Sequence, residues 1–272
     1  MKGEGFLTKN ISSFTQLLES VISTENLCRA SGLLQGLDPR VKVVTFVLFI
    51  VTVGLARSLW PLAVMFVLIL AFSTLSKVPL GFFLKRVFIF IPIFAAVIAI
   101  PALFITPGSS LATIAGKVII TEQGARTAGL LLLRVTDSLS FGVLLILTTP
   151  WTSVLAALRW LRMPSLLIDI LGMTYRYIFL LLHTTNSMFL ARRSRTIGSF
   201  SSGENRRWLT RALTTTMARS QYLSEEVYLA MLSRGYQGEI RVLNDFRLKH
   251  RDCLWVAFAL ITASIMLWSN HL

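Results

Sequence analysis

The sequence predicts an all-α integral membrane protein, about five spanning helices plus a helical domain outside the bilayer. Three observations carry this. Of 272 residues 54% are hydrophobic and only 15% charged, against about 25% charged in soluble domains. Mean hydropathy is +0.68. Charge-free stretches approach the roughly 20 residues that a bilayer core demands. The 27 basic and 13 acidic residues leave a net charge of +14, which must lie outside the hydrocarbon, where a buried charge costs about 3 kcal/mol or more.

Residues 1–42 form a polar leader. No apolar run follows a basic start there, so no cleavable signal peptide is expected and the chain is expected to begin in the cytoplasm. Cys28 and Cys253 stand alone, without metal or redox spacing, and read as free thiols.

Spans one to four are expected within 43–149. Val43 to Ala56 is short, but Lys42 and Arg57 could snorkel and lengthen it. Ser58 to Leu75 follows as a hairpin partner, with Pro61 in its first turn. Val87 to Thr106 carries no charge; Pro92 and Pro101 should bend it. Thr127 to Thr149 holds Arg134 and Asp137, three residues apart and so on one helical face where they could pair. That pair reads either as a polar relay or gate, or as a neutralised structural pair.

The last span is Leu254 to Ser269, within 253–272. Residues 150–252 hold 15 basic and 7 acidic side chains, a net +8 in one connection. By the positive-inside bias this stretch is cytoplasmic, together with the loop bearing Lys77, Lys85 and Arg86.

Its helical periodicity predicts a coupling-type subdomain of interfacial helices rather than a loop. Trp151 to Arg162 is amphipathic and bracketed by Pro150 and Pro164. Ser165 to Ile197 follows, about 50 Å long, apolar at Leu166, Ile170, Met173, Tyr177 and Leu180 and basic at Arg192, Arg193 and Arg195. Reading Leu166 to Leu182 as a sixth span would place Asp169, Arg176 and His183 in or beside the hydrocarbon and carry the arginines outside. Glu204 to Ser233 is the third helix, with Gly235 as its stop signal.

Two of these helices end alike, at Ser194-Arg195-Thr196 and at Ser233-Arg234-Gly235. Small residues around an arginine allow close backbone approach and an unobstructed guanidinium with five fixed donors. Arginine near a helix end also caps the dipole. The repetition favours an anchoring role.

With these triplets, and with Gly36-Leu37-Asp38-Pro39-Arg40-Val41-Lys42 before the first span, the chain resembles the T component of energy-coupling factor transporters, most closely its cobalt/nickel-type branch. The resemblance covers nearly the whole chain. The family's paired Ala-Arg-Gly-like triplets map onto the two here, which depart at the alanine and, in the first, also at the glycine. It implies two cytosolic ATP-binding-cassette subunits, each receiving one arginine. It also implies a separate metal-binding S component in the bacterial or archaeal cell membrane.

The residues agree that ATP and metal are handled elsewhere. No Gly-x-x-x-x-Gly-Lys-Ser/Thr loop exists; Gly116-Lys117 is the nearest approach, with Leu111 where glycine is needed. His183, His250 and His271 are scattered. No cofactor is therefore expected on this chain, and ATP and Mg belong to the partner ATPases. A self-contained permease leaves the basic platform unexplained. Glu225 and Glu226, being adjacent, point to different sides of their helix and suggest no enzyme. Anionic lipid is a cheaper partner for interfacial arginines than nucleic acid.

Overall fold

The computed structural model describes Cys28 and residues 32–105, 110–114, 118–195, 201–238 and 249–269. It is an all-α membrane protein with one small strand pair. The helices are α1 (Pro39–Leu55), α2 (Leu59–Leu75), α3 (Leu80–Ile105), α4 (Glu122–Thr148), α5 (Trp151–Trp160), α6 (Ser165–Arg195), α7 (Ser202–Ser233) and α8 (His250–Trp268). Between α3 and α4, β1 (Ser110–Ile114) and β2 (Val118–Thr121) pair antiparallel, Ile114 opposite Val118. The sequence reading missed this ribbon and began α3 at Val87, seven residues late. Charge-based reading ended the apolar run at Lys85 and Arg86, whereas the helix continues through both. Among the described residues α4, α6 and α8 are long and apolar enough to cross a membrane, and α2 is apolar but shorter.

The chain divides into two compact units. The first unit to be considered takes in α1 to α4, most of α5, and α8. Its core is aromatic where α1 meets α4: Phe141 stacks on Phe49 at 5.1 Å between centroids and lies 5.7 Å from Phe46. Phe72 of α2 meets Trp255 of α8 at 5.0 Å. Such pairs add about 0.5–1.5 kcal/mol each beyond their buried area.

One polar junction joins four helix ends of this unit. Asp38 caps α1, its carboxylate accepting from the Arg40 amide at 2.9 Å, with Pro39 at the first helical position where no amide is missed. Asp252, in the first turn of α8, accepts from the Asp38 amide at 2.9 Å and the Lys249 amide at 2.7 Å. Lys42 donates to the Thr148 carbonyl at 3.1 Å and to Thr149 Oγ1 at 3.0 Å, placing a cation on the negative end of α4. Trp255 Nε1 donates to Thr45 Oγ1 at 3.0 Å.

The turn before α1 caps α2. The Leu33 amide donates to the Leu75 carbonyl at 3.3 Å and Gln35 Nε2 to the Ser76 carbonyl at 2.9 Å. Gly32 sits so close there that a Cβ would meet the Ser76 carbonyl oxygen at 2.7 Å. Contrary to the sequence reading, Lys42 does not snorkel to the headgroups. It is 1% exposed and satisfied within the chain.

Substituting Lys42 by Met keeps the volume but strips the amine from two buried oxygens at the end of α4. The expected cost is about 3 kcal/mol, read as a lowered thermal midpoint of the purified protein in detergent.

Candidate functional site

The second unit holds the end of α5 with α6 and α7, and both arginine triplets fall in it. Arg159 of α5 pairs with the buried Asp169 of α6 at 2.7 Å, closing the turn around Pro164.

The two long helices are pinned near the end of α6. Phe189 meets the Trp208 ring edge-on at 4.8 Å, the Arg192 guanidinium lies 4.5 Å from the centre of the same ring, and Arg192 Nη2 donates to Asn205 Oδ1 at 2.8 Å. At the start of α7, Ser201 Oγ accepts from the Glu204 amide at 3.3 Å while the Glu204 carboxylate accepts from the Ser201 amide at 2.9 Å. Those bonds from Ser201 hold the Glu204 carboxyl below its ordinary range, aided by Arg192 and Arg207.

The basic run of α6 is thus divided by its helical phase. Arg192 turns inward onto Trp208; Arg193, Ser194 and Arg195 are exposed. Thr196 lies outside the described residues. In the second triplet Ser233 is the last helical residue, Arg234 the C-cap, and Gly235 has φ +80°. The Gly235 amide donates to the Leu232 carbonyl and the Tyr236 amide to the Met231 carbonyl, both at 3.0 Å. This is a Schellman end, in which the residue after the cap adopts the left-handed conformation that glycine enters freely. Gly235 therefore ends the helix, as its reading as a stop signal anticipated, and so sets where Arg234 sits. Arg234 and Gly235 are both exposed.

Arg134 and Asp137 of α4 do not pair. Arg134 Nη2 donates instead to the Ala56 carbonyl at 2.6 Å, capping the end of α1. Asp137 is fully buried. Shared helical phase brought the two to one face, but the long arginine reached the orphan carbonyl of a neighbouring helix end.

Sequence reading also missed Arg192 as an inward anchor; Trp208 at the start of the next helix was the available signal. It missed the junction at Lys42, whose acceptors at Thr148 and Thr149 lie more than a hundred residues further along the chain.

Among the described residues no group of three His, Cys, Asp or Glu side chains is gathered as a metal site. Neither Cys28, which is buried, nor Cys253, which is exposed, forms a disulfide.

The family model described as cobalt transport protein matches residues 30–243. The chain belongs to the CbiQ family of cobalt transport proteins. It is 35% identical over 262 residues to an uncharacterized protein of Methanocaldococcus jannaschii, covering 95% of this chain and 90% of that one. It is 31% identical over 185 residues to the cobalt transport protein CbiQ of Rhodobacter capsulatus, covering 65% and 70%. It is 29% identical over 232 residues to the energy-coupling factor transporter transmembrane protein EcfT of Streptococcus thermophilus, covering 80% and 84%. The protein is accordingly a membrane component of a transport family.

Replacing Gly235 by Ala puts a Cβ on a left-handed residue at a cost of about 1 kcal/mol. The expected result is faster hydrogen exchange at the Gly235 and Tyr236 amides, with the rest of α7 unchanged.

Proposed function

We propose that this CbiQ-family chain is the membrane coupling subunit, or T component, of an energy-coupling factor importer. It passes motion from two cytosolic ATP-binding-cassette subunits to a separate substrate-binding membrane subunit. The observation that carries this reading is the pair of exposed arginines, Arg195 and Arg234, at the ends of two long helices braced against one another. Each guanidinium offers a fork of donors suited to carboxylates or helix-end carbonyls on an ATPase.

Chain topology supports the sidedness that this requires. The junction at Lys42 ties the start of α1 to the end of α4 and the start of α8. Residues 150–249 therefore leave and re-enter the membrane unit at one face. If α6 crossed the bilayer, α7 would have to cross back. Between Glu204 and Glu226 α7 carries seven ionisable side chains, each costing about 3 kcal/mol near the bilayer centre. This argues against either helix spanning, and the net +8 of residues 150–252 favours the cytoplasm for that face. Five spans follow, in a bacterial or archaeal cell membrane.

Apolar side chains left exposed on the long helices, among them Leu213, Met217 and Leu229, give lipid and the substrate-binding subunit a surface to lie against. Cobalt is the substrate favoured by the family description and by the Rhodobacter relative's name, with nickel the alternative that the resemblance leaves open. The relatives named EcfT favour the broader energy-coupling role. Catalysis of ATP hydrolysis, with its Mg, belongs to the partner subunits.

Reversing both charges, Arg195→Glu with Arg234→Glu, should leave the protein inserted and folded. Co-purification with the ATPase pair should be lost, each single reversal weakening it by at least about tenfold. Undiminished ATPase binding and transport in the double variant would contradict the proposal.

A further inference from the structure

Asp137 is 0% exposed, and neither carboxylate oxygen has a hydrogen-bond partner among the described residues. Ser140, one turn on, is equally buried, and its hydroxyl is also without a partner. Elsewhere on α4 the hydroxyls of Thr136 and Thr148 donate to the carbonyls four residues back, at 2.6 and 2.8 Å, as membrane hydroxyls ordinarily do. Ser140 does not.

The face that holds them is bounded on both sides. One turn before Asp137, Arg134 is spent on Ala56 of α1; one turn after it, Phe141 stacks on Phe49 of α1. Between Phe49 and Ala56 the only polar side chain of α1 is Thr52, whose hydroxyl already donates to the Leu48 carbonyl at 2.7 Å. The other helices against α4 offer no charge at this depth. In α2, Leu59 to Leu75 contains no ionisable residue. In α3, Val87 to Ile105 contains no polar side chain at all, and Lys85 and Arg86 lie at its start. On α4 itself, Arg134 is the one cation between Thr127 and Thr148.

An ionised carboxylate without donors inside protein and lipid costs several kcal/mol. A protonated one loses that penalty and gains an O–H that can be given to Ser140 or to a carbonyl of its own helix. We propose that Asp137, with Ser140 beside it, is a proton-binding site within the membrane unit, carrying a neutral carboxylic acid at physiological pH. Loss of that proton puts an unpartnered charge between α1 and α4 and loosens their packing. The inference stands on this unit alone and is independent of the coupling reading.

The chain has five aspartates, so the acid can be read by isotope-edited infrared spectroscopy. Full-length protein labelled with aspartate carrying carbon-13 in the side-chain carboxyl is placed in lipid nanodiscs in light and in heavy water. One aspartate should show the carbonyl stretch of a protonated acid at neutral pH. That band should be absent from Asp137→Asn, and the wild type should lose thermal stability relative to Asp137→Asn as pH is raised. A wild-type spectrum with all five aspartates ionised at neutral pH would overturn the proposal even if the variant does not fold. Persistence of the acid band in a folded Asp137→Asn would overturn it as well.

Discussion

A primary amine cannot be left in an apolar setting without acceptors, and the way Lys42 finds them organises the membrane unit. Its ammonium closes the carbonyl end of α4, while the neighbouring backbone at Asp38 is held by the carboxylate that opens α8. Each helix end needs partners for its orphan groups. Here those of α1, α2, α4 and α8 find them in one short stretch of leader and its neighbours. The consequence is topological: a chain whose crossings end in mutual hydrogen bonds has no freedom over which face they share.

The rest of the chain exploits that fixed face. Residues 150–249 form an excursion that starts and finishes at it, and the long helices in that excursion are built differently from the bundle. Only Ile168, Asp169, Phe189 and Arg192 of α6 are buried. A helix pair so sparsely covered gains little stability from its own core, and depends on local devices: the capping box at Ser201, the Arg159–Asp169 pair, the Trp208 crossing and the Schellman end at Gly235. These rigid ends present the exposed arginines. Apolar side chains such as Leu213, Met217 and Leu229 stay exposed on these helices, and in the proposed role lipid and other subunits cover them.

Much of this was legible in the sequence because hydropathy and helical period are local properties. The order of helices, the interruption by Pro150 and Pro164, and the stop at Gly235 could all be read directly. The failures share a physical cause. Lys42 was read as a headgroup contact and Arg134 as the partner of Asp137, since a single sequence shows each charge only beside its chain neighbours. Both side chains instead serve helix ends remote in sequence, at Thr148 and at Ala56. The ribbon of β1 and β2 escaped because a short strand pair between two membrane helices carries little periodic signal. Arginine triplets were found by repetition, yet the inward turn of Arg192 depended on Trp208, across a helix boundary.

The central claim is that the leader junction and both arginine-bearing helix ends share the cytoplasmic face. Single cysteines at positions 40, 195 and 234, with a fourth at 117 between α3 and α4, can be probed with a membrane-impermeant maleimide in a background lacking Cys28 and Cys253. Inverted and right-side-out vesicles are compared. The account predicts that positions 195 and 234 react with the leader position from the cytoplasmic side and that position 117 reacts only from the other. Reaction of position 195 or 234 from the external side would contradict it.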